Sequence, residues 1–370
     1  MGIYLVYAMN AFLVTALLIT WLRPVAVRLS LVDRPDARKL HEGAIPVCGG
    51  IAMFAAIMIS NVGLGFDRAL SPVAALCLCV IAVAGFIDDR RQLSARTRLV
   101  IQGTAAVVLV VLGLDGPIQL LGPVPAEFVE PLLLVGPLVA VIFIMGTINA
   151  INMMDGVDGL AGGYLTLSFF WLALLAQSIG RTDIAIEALV LMSAVVGFLV
   201  FNLRHRWRSR ASVFMGDAGS TMLGAAIAFL IVKLASGPDS LPFPLLLWLV
   251  IVPVTDTLVL IVTRMAAGRS PFQPDRRHLH HLLQDRGFSS GQVAALLIAV
   301  SFFYGAVAYG ALLLRIPESV MLGALVIPVG LHVGFVTATG RRAIRAATGT
   351  AAPQQTLPNS SLADRNPGNA

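Results

Sequence analysis

The sequence predicts an all-α, polytopic integral membrane protein, and three observations support this fold class. Hydrophobic residues make up 57% of the 370 residues and charged residues only 12%. The mean hydropathy of +0.85 is far above the range of soluble domains. Apolar runs of about 20 residues recur along the chain, each long enough to cross a bilayer core as a helix, and Lys and Arg are concentrated in every second loop.

About eleven such runs follow one another, and each is predicted to be a transmembrane helix. The runs cover residues 3–22, 47–65, 71–87, 99–114, 132–150, 160–179, 184–202, 218–236, 243–263, 293–314 and 318–337.

The loops between these runs predict the orientation of the chain. One set of alternate loops, with the tail, holds 22 of the 26 Lys and Arg residues, whereas the opposite loops hold three. Basic loops stay in the cytoplasm, so we expect a periplasmic N-terminus and a cytoplasmic C-terminus. The net charge of +6 then lies beside anionic headgroups and requires no nucleic-acid partner. We expect residues 1–340 to form one membrane domain with a cytoplasmic-face active site, and the polar residues 341–370 to form a disordered cytoplasmic tail.

Polar motifs occupy five of the predicted cytoplasmic loops, in chain order. They read "DRPDARKLHEGAIPVCGG" from Asp33, "DDR" from Asp88, "NAINMMDGVDGL" from Asn149, "VFMGDAGS" from Val213 and "SPFQPDRRHLHHL" from Ser270. The opposite loops are short and carry no comparable cluster of acids and histidines. This one-sided distribution indicates a site at the cytoplasmic ends of the predicted helices.

The residue types in these motifs favour phosphoryl chemistry. Asn149, Asn152, Asp155 and Asp158 recur every third residue, a step of about 300° that keeps them on one side of a helix. Carboxylate and amide oxygens suit Mg²⁺ or Mn²⁺. With Arg, Lys and His nearby, the set suits a bound diphosphate, as phosphoryl transfer requires. The chain has no GxxxxGK[ST] motif and no strand-flanked GxGxxG motif, so neither a P-loop nor a Rossmann module is indicated.

Other polar residues fit structural explanations. The arginines between 204 and 210 are expected to anchor the topology, and Lys233, near the outer end of its span, to snorkel to the interface. His205 and His332 are isolated, and no role is assigned to either. Asp256 lies within an apolar run, where an ionisable group is a functional candidate, although its role is left open.

The five ordered motifs together resemble those of the polyprenyl-phosphate N-acetylhexosamine-1-phosphate transferases, a superfamily that also includes the muramoyl-pentapeptide phosphotransferase. The motifs cover residues 20–290. The "RKLH" and the interrupted "HLHH" resemble the branch that acts on GlcNAc rather than the muramoyl branch.

The resemblance implies a site, position by position. Catalytic roles are implied for Asp88, Asp89, Asp217, His278, His280 and His281. Contacts to substrate are implied for Lys39, His41, Asp155, Asp158, Asn202, Phe214, Arg276 and Arg277. Asn152 and Asp217 would hold Mg²⁺, or alternatively Mn²⁺. Asp88 would position or deprotonate the lipid phosphate with Asp89 in support, and Phe214 would stack on uracil.

The resemblance also implies an activity. A bacterial inner-membrane enzyme would transfer GlcNAc-1-phosphate from UDP-GlcNAc to undecaprenyl phosphate and release UMP, as the first membrane step of O-antigen or related glycan synthesis. Another UDP-N-acetylhexosamine or UDP-MurNAc-pentapeptide stays open as the donor, and a homodimer is left open. A secondary transporter is the alternative from a different class, disfavoured because the acids cluster at one face rather than at the midplane.

Overall fold

Apolar α-helices form most of the structure, which is a computed structural model. The structure describes residues 2–33, 43–64, 70–120, 126–205, 208–266, 268, 270 and 277–349. The helices are α1 (Gly2–Arg28), α2 (Gly49–Leu64), α3 (Pro72–Arg91), α4 (Ala95–Leu112), α5 (Ala126–Met154), α6 (Leu160–Ser178), α7 (Thr182–Asn202), α8 (Gly216–Leu234), α9 (Phe243–Leu246), α10 (Ile251–Ala266), α11 (Leu279–Gln284), α12 (Ser290–Leu313), α13 (Glu318–Ala324) and α14 (Val326–Gly349).

Two short strands, β1 (Val32–Asp33) and β2 (Ile45–Pro46), pair antiparallel with Val32 opposite Pro46. They close the base of the loop between α1 and α2.

The predicted class, a polytopic helical membrane protein, is confirmed. Within the described residues, nine helical segments are long and apolar enough to cross a membrane, or ten if one bent pair counts as a span. Three of the eleven predicted spans differ from single long helices. The run at 47–65 is the 16-residue helix α2, the run at 243–263 is broken, and the run at 318–337 is divided at Leu325 between α13 and α14. The count of eleven and the orientation of the termini stay predictions.

The broken span consists of α9, a 3-10 turn (Leu247–Leu249) and α10, with an 88° bend between the two parts. A break leaves backbone carbonyls without helical partners, which is costly in an apolar setting. The carbonyl oxygen of Leu249 accepts hydrogen bonds from Tyr164 Oη at 3.0 Å and Ser168 Oγ at 3.0 Å. Polar side chains of α6 therefore stabilise the bend.

Helix α8 lies at the centre of the bundle, with 94% of its residues in the spanning window buried. Glycines allow its N-terminal turn to approach two neighbouring helices closely. A Cβ atom on Gly50 of α2 would lie 2.3 Å from the nitrogen of Gly219, and one on Gly85 of α3 would lie 2.5 Å from the carbonyl oxygen of Asp217. Both are closer than any real contact, so these positions require glycine.

Helix α14 continues to Gly349, so the first nine residues of the predicted tail, 341–349, are helical. Residues 350–370 lie outside the described residues.

Candidate active site

Three helix ends meet at one end of the bundle, called here the site end. The last turn of α3 carries Asp88 and Asp89, the last turn of α5 carries Asn152, and the first turn of α8 carries Asp217. Asn152 Nδ2 donates to Asp217 Oδ1 at 2.8 Å and to Ser220 Oγ at 3.3 Å. These bonds join side chains of the third and fourth motifs, and the end of α3 that carries Asp88 and Asp89 lies beside them.

Asp88 is held in place by the start of α4. Its Oδ1 accepts the backbone N–H of Leu93 at 2.6 Å, and its Oδ2 accepts from Arg98 at 3.0 Å. The Asp88 side chain is 6% exposed and that of Arg98 is 41% exposed. Arg98 is a site residue that the sequence analysis missed. The sequence signal for it is the cluster of four arginines that follows Asp88. Among the described residues, Arg98 is the member of this cluster that pairs with Asp88.

Asp89 caps the N-terminus of α8. Its Oδ1 accepts the N–H of Asp217 at 2.8 Å, and its Oδ2 accepts that of Ala218 at 3.2 Å. The preceding residue, Gly216, has φ +71°, and a Cβ there would lie 2.6 Å from Asp89 Oδ2. A carboxylate at a helix N-terminus satisfies free N–H groups and the helix dipole. Asp89 therefore supports the site by fixing the backbone that carries Asp217.

Four acids of the site lie close together and are called here the acid cluster. Asp217 lies within electrostatic range of Asp88, Asp89 and Asp155. Burial first, and then the charges of Asp217, Asp89 and Asp158, raise the pKa of Asp155 well above its usual range. Such a cluster is destabilised by mutual repulsion unless cations accompany it, and Arg98 supplies one.

The donor set fits a hard divalent cation by its chemistry, because it consists of carboxylate and carboxamide oxygens. Across the described ranges, no three His, Cys, Asp or Glu side chains converge closely enough to enclose a metal ion. Sites for Mg²⁺ commonly use only one or two carboxylates together with water and substrate phosphates. Asp217 and Asn152 fit that arrangement.

Asn149, the first amide of the same motif, faces elsewhere. Its Nδ2 donates to Gln102 Oε1 at 2.8 Å and to the carbonyl oxygen of Met145 at 2.8 Å. It therefore ties α5 to α4 instead of joining the acid cluster.

Asp158 and Asn202 organise the loops around α6 and α7. Asp158 Oδ2 accepts from Arg204 Nε at 2.8 Å and from the N–H of Ala211 at 2.9 Å. Asn202 Oδ1 accepts the N–H of Gly159 at 2.7 Å, and its Nδ2 donates to the carbonyl oxygen of Val213 at 2.9 Å.

These contacts bear on two expectations. Asn202 is 5% exposed and uses both carboxamide atoms within the chain, so it holds the loop together, and its contact with a nucleotide stays a prediction. Arg204, expected only to anchor the topology, forms a specific ion pair with Asp158.

Phe214 lies between the first of the five polar motifs and α8. Its N–H donates to the carbonyl oxygen of Pro46 at 2.9 Å, and its carbonyl oxygen accepts the N–H of Gly49 at 3.0 Å. The backbone of Phe214 is therefore fixed, and its half-buried ring adjoins the residues that precede Asp217. Its stacking on uracil stays a prediction.

The histidine motif forms the start of α11 and reaches the acidic motif. His280 is 3% exposed, and a Cβ on Gly156 would lie 2.6 Å from its Nε2. The ring of His280 lies parallel to that of His278 at 5.7 Å and 4.2 Å from that of His281, measured between centroids. Burial first, and then His281 and His278, lower the pKa of His280 to about 3, so its ring is neutral at pH 7.

The remaining predicted contact residues are basic or lie in the first loop. Arg277 is exposed at the entrance to α11. Lys39, His41 and Arg276 lie outside the described residues, and their contacts with substrate stay predictions.

Comparison with known proteins places this arrangement in a family. Residues 71–235 match the family model described as glycosyl transferase family 4, a segment that contains the acid cluster. The chain is 34% identical over 292 residues to an undecaprenyl-phosphate alpha-N-acetylglucosaminyl 1-phosphate transferase of Escherichia coli strain K12. This alignment covers 78% of each chain.

Proteins of the same name from two other bacteria match over more of the chain. The protein of Salmonella typhimurium is 34% identical over 328 residues, 85% of each chain. That of Yersinia pestis is 32% identical over 337 residues, 89% of each chain. With its acid cluster inside the matched segment and its relatives aligned over most of their length, the chain belongs to glycosyl transferase family 4.

Proposed function

We propose that this protein transfers GlcNAc-1-phosphate from UDP-GlcNAc to undecaprenyl phosphate, yielding GlcNAc-diphospho-undecaprenol and UMP. The observation that carries the proposal is the meeting of Asp88, Asn152 and Asp217 at one end of the bundle. The names of the aligned relatives specify the same transferred sugar and acceptor lipid.

The reaction joins two anions, which explains the mixture of acids and cations. An oxygen of the lipid phosphate attacks the sugar-linked phosphorus of the donor, the bond from that phosphorus to the UMP oxygen breaks, and UMP leaves. A phosphate monoester with a second pKa near 6 is largely dianionic at pH 7. Most of the lipid phosphate therefore carries no proton for Asp88 to remove. The ion pair of Asp88 with Arg98 supports a positioning role, with the half-exposed guanidinium available to the lipid phosphate.

Asp217 and Asn152 are the residues that would hold Mg²⁺, with Mn²⁺ as the alternative. Bound there, a divalent cation would supply charge neutralisation for the diphosphate. The protein's own part is to keep these two side chains rigid. Asp89 fixes the backbone N–H groups of Asp217 and Ala218, and Ser220 holds the Asn152 amide.

The donor is proposed to lie between the acid cluster and α11. Neutral His280, packed on Gly156, forms one wall, and Asp155 precedes that glycine in the turn after α5. A neutral, buried imidazole donates hydrogen bonds without adding charge. His281 and Arg277 lie at the same helix start, so positive and hydrogen-bonding groups meet the diphosphate where its charge develops.

The site end is proposed to face the cytoplasm, where UDP-sugars are found, in a bacterial inner membrane. This orientation agrees with the concentration of Lys and Arg in the loops at that end, because basic loops stay in the cytoplasm. Eleven spans with a periplasmic N-terminus accommodate it if α2 and the bent α9–α10 pair each count as one. The product would then be consumed by an enzyme that extends a lipid-linked sugar, as in O-antigen or related surface glycan synthesis.

The experiment is a donor panel with purified protein, undecaprenyl phosphate and Mg²⁺. We expect UMP release with UDP-GlcNAc and little with UDP-GalNAc or UDP-MurNAc-pentapeptide. Turnover confined to another UDP-sugar would change the donor. Absence of UMP with every donor, together with substrate-dependent flux in sealed vesicles, would replace the enzyme with a transporter.

A further inference from the structure

Asp256 is an acid on the buried face of α10, and its environment explains its presence. Helix α10 directs Leu258 and Val262 outward, at 54% and 63% exposed, whereas Asp256 on its other face is 8% exposed. An ionisable side chain buried at such a place is retained only with specific partners.

Three groups surround the Asp256 carboxylate. Oδ2 lies 3.0 Å from His278 Nδ1, and Oδ1 accepts the backbone N–H of Leu279 at 2.9 Å. His332 of α14 places its Nε2 3.2 Å from Oδ1. The three side chains are at most 11% exposed. One carboxylate thus connects the start of α11 with the last helix of the chain.

The contact with His278 determines which ring nitrogen carries the proton. A carboxylate beside Nδ1 requires Nδ1–H, which leaves Nε2 as the nitrogen that can act on a ligand. Because His278 and His280 are parallel with an interplanar angle of 8°, the orientation of the first ring also constrains the second. His280 in turn packs on Gly156 beside the acid cluster.

The N-terminus of α11 depends on the same carboxylate. His278 is its N-cap residue but makes no side-chain capping bond, and Asp256 provides the missing acceptor for Leu279 from another helix. A simple capping role would be filled equally well by asparagine, which keeps one acceptor oxygen. The tautomer of His278 would not be kept, because an amide nitrogen then faces Nδ1.

We propose that Asp256 is a positioning residue of the transferase site, which fixes the Nδ1–H tautomer and the orientation of His278 and which, through His332, makes α14 part of the donor site. This inference rests on the proposed function, since it assigns the His278 ring to the diphosphate side of the same site. It adds two residues, Asp256 and His332, that touch no substrate and act through the histidines at the start of α11.

The test is a double-mutant cycle on purified full-length protein with UDP-GlcNAc, undecaprenyl phosphate and Mg²⁺. We expect Asp256→Asn to lower kcat/KM for the donor about 10–100-fold, with the KM for undecaprenyl phosphate and the thermal unfolding midpoint little changed. His278→Asn should cost a similar factor. The double variant should be no worse than His278→Asn alone, because residues that act as one unit are not additive.

Two further variants complete the design. His332→Gln should raise the donor KM severalfold and leave the acceptor KM unchanged. Asp115→Asn is the matched control, because it removes an acid paired with Arg181 at 2.7 Å, beside the end of α7 that is farthest from Asn202. It should keep wild-type kinetics.

The outcomes separate the two proposals. Without UMP release from the wild-type protein, the proposed function fails before any variant is compared. With an active wild type, normal donor kinetics in Asp256→Asn, or losses that multiply fully in the double variant, would overturn the role of Asp256. An equal rise of donor and acceptor KM accompanied by a lower unfolding midpoint would also overturn it, in favour of a purely structural role.

Discussion

The Asp89 carboxylate caps helix α8 by accepting the backbone N–H of Asp217 at 2.8 Å. We expect Asp89→Ala to destabilise the protein by about 1 kcal/mol, as loss of a helix cap does, and to lower turnover because the backbone that carries Asp217 loosens. Thermal unfolding in detergent and UMP release measure the two effects.

A second helix cap provides the control for Asp89. Ser71 caps α3 through the N–H of Ala74 at 3.2 Å, at the end of α3 opposite to Asp88. Ser71→Ala should lose comparable stability and keep turnover. If Asp89→Ala lost turnover with no change in unfolding, Asp89 would act on the substrates directly rather than through the helix.

Gly216 is expected to tolerate no side chain. Its φ of +71° is the left-handed region, where any other residue costs about 1–2 kcal/mol, and a Cβ would also lie 2.5 Å from Val47 Cγ1. Gly180 has φ +83° with no heavy atom within 4 Å of a Cβ, so Gly180→Ala isolates the conformational cost. Gly216→Ala should show a clearly lower unfolding midpoint than Gly180→Ala, and equal midpoints would contradict the close contact.

The acid cluster was predictable because each motif lies at the end of an apolar run. Helices that cross one bilayer end at its two faces, so Asp88, Asn152 and Asp217 must share a face if the loops are assigned correctly. Sequence spacing does not give side-chain direction, which is why Asn149 was grouped with Asn152 although it bonds Gln102.

Contacts between distant elements were beyond the sequence. Lys233, expected to snorkel, instead pairs with buried Glu187 at 3.0 Å, a partner on another helix that hydropathy cannot show. His332 looks isolated in the sequence because Asp256, the residue it meets in the fold, lies 76 positions earlier in the chain. The break after Leu249 was missed for a related reason, since an apolar run reports length and composition but not helix continuity.

Tyr164 is expected to stabilise the bend between α9 and α10. Tyr164→Phe removes the hydroxyl that donates to the carbonyl oxygen of Leu249, at a cost of about 1 kcal/mol, less if Ser168 compensates. The double change with Ser168→Ala should cost more than the sum of the single changes, because only then does the carbonyl lose both partners. Thr166→Val, which removes a bond within one helix turn, is the control and should be close to neutral. Strict additivity in thermal unfolding would contradict this account.

His280 is expected to make the folded state sensitive to acid. Its folded-state pKa of about 3 lies below the value of about 6.5 in an unfolded chain, so between these values the unfolded state binds the extra proton. Stability is therefore complete above about pH 6.5 and falls as the pH drops towards 3, by up to about 1.4 kcal/mol per pH unit.

The measurement for His280 is the thermal unfolding midpoint between pH 5 and pH 8. His280→Gln removes the titrating group and should flatten the decline below pH 6.5 relative to the wild type. His205→Gln, which changes an exposed histidine, is the matched control and should keep the wild-type slope. Identical slopes in all three proteins would show that His280 does not stay neutral.

Asp217 is expected to carry the metal dependence of the reaction. Asp217→Asn removes one negative charge and one metal-type oxygen, and turnover should fall on the order of 100-fold or more, while the helix folds as before. In the wild type, EDTA should abolish UMP release and added Mg²⁺ should restore it. Asp183→Asn alters the equivalent first-turn acid of α7 and should keep turnover.

Electron paramagnetic resonance of Mn²⁺ gives a readout independent of activity. The wild type and Asp183→Asn should bind Mn²⁺, and Asp217→Asn should not. Retained binding together with near-normal turnover in Asp217→Asn would remove this residue from the metal site.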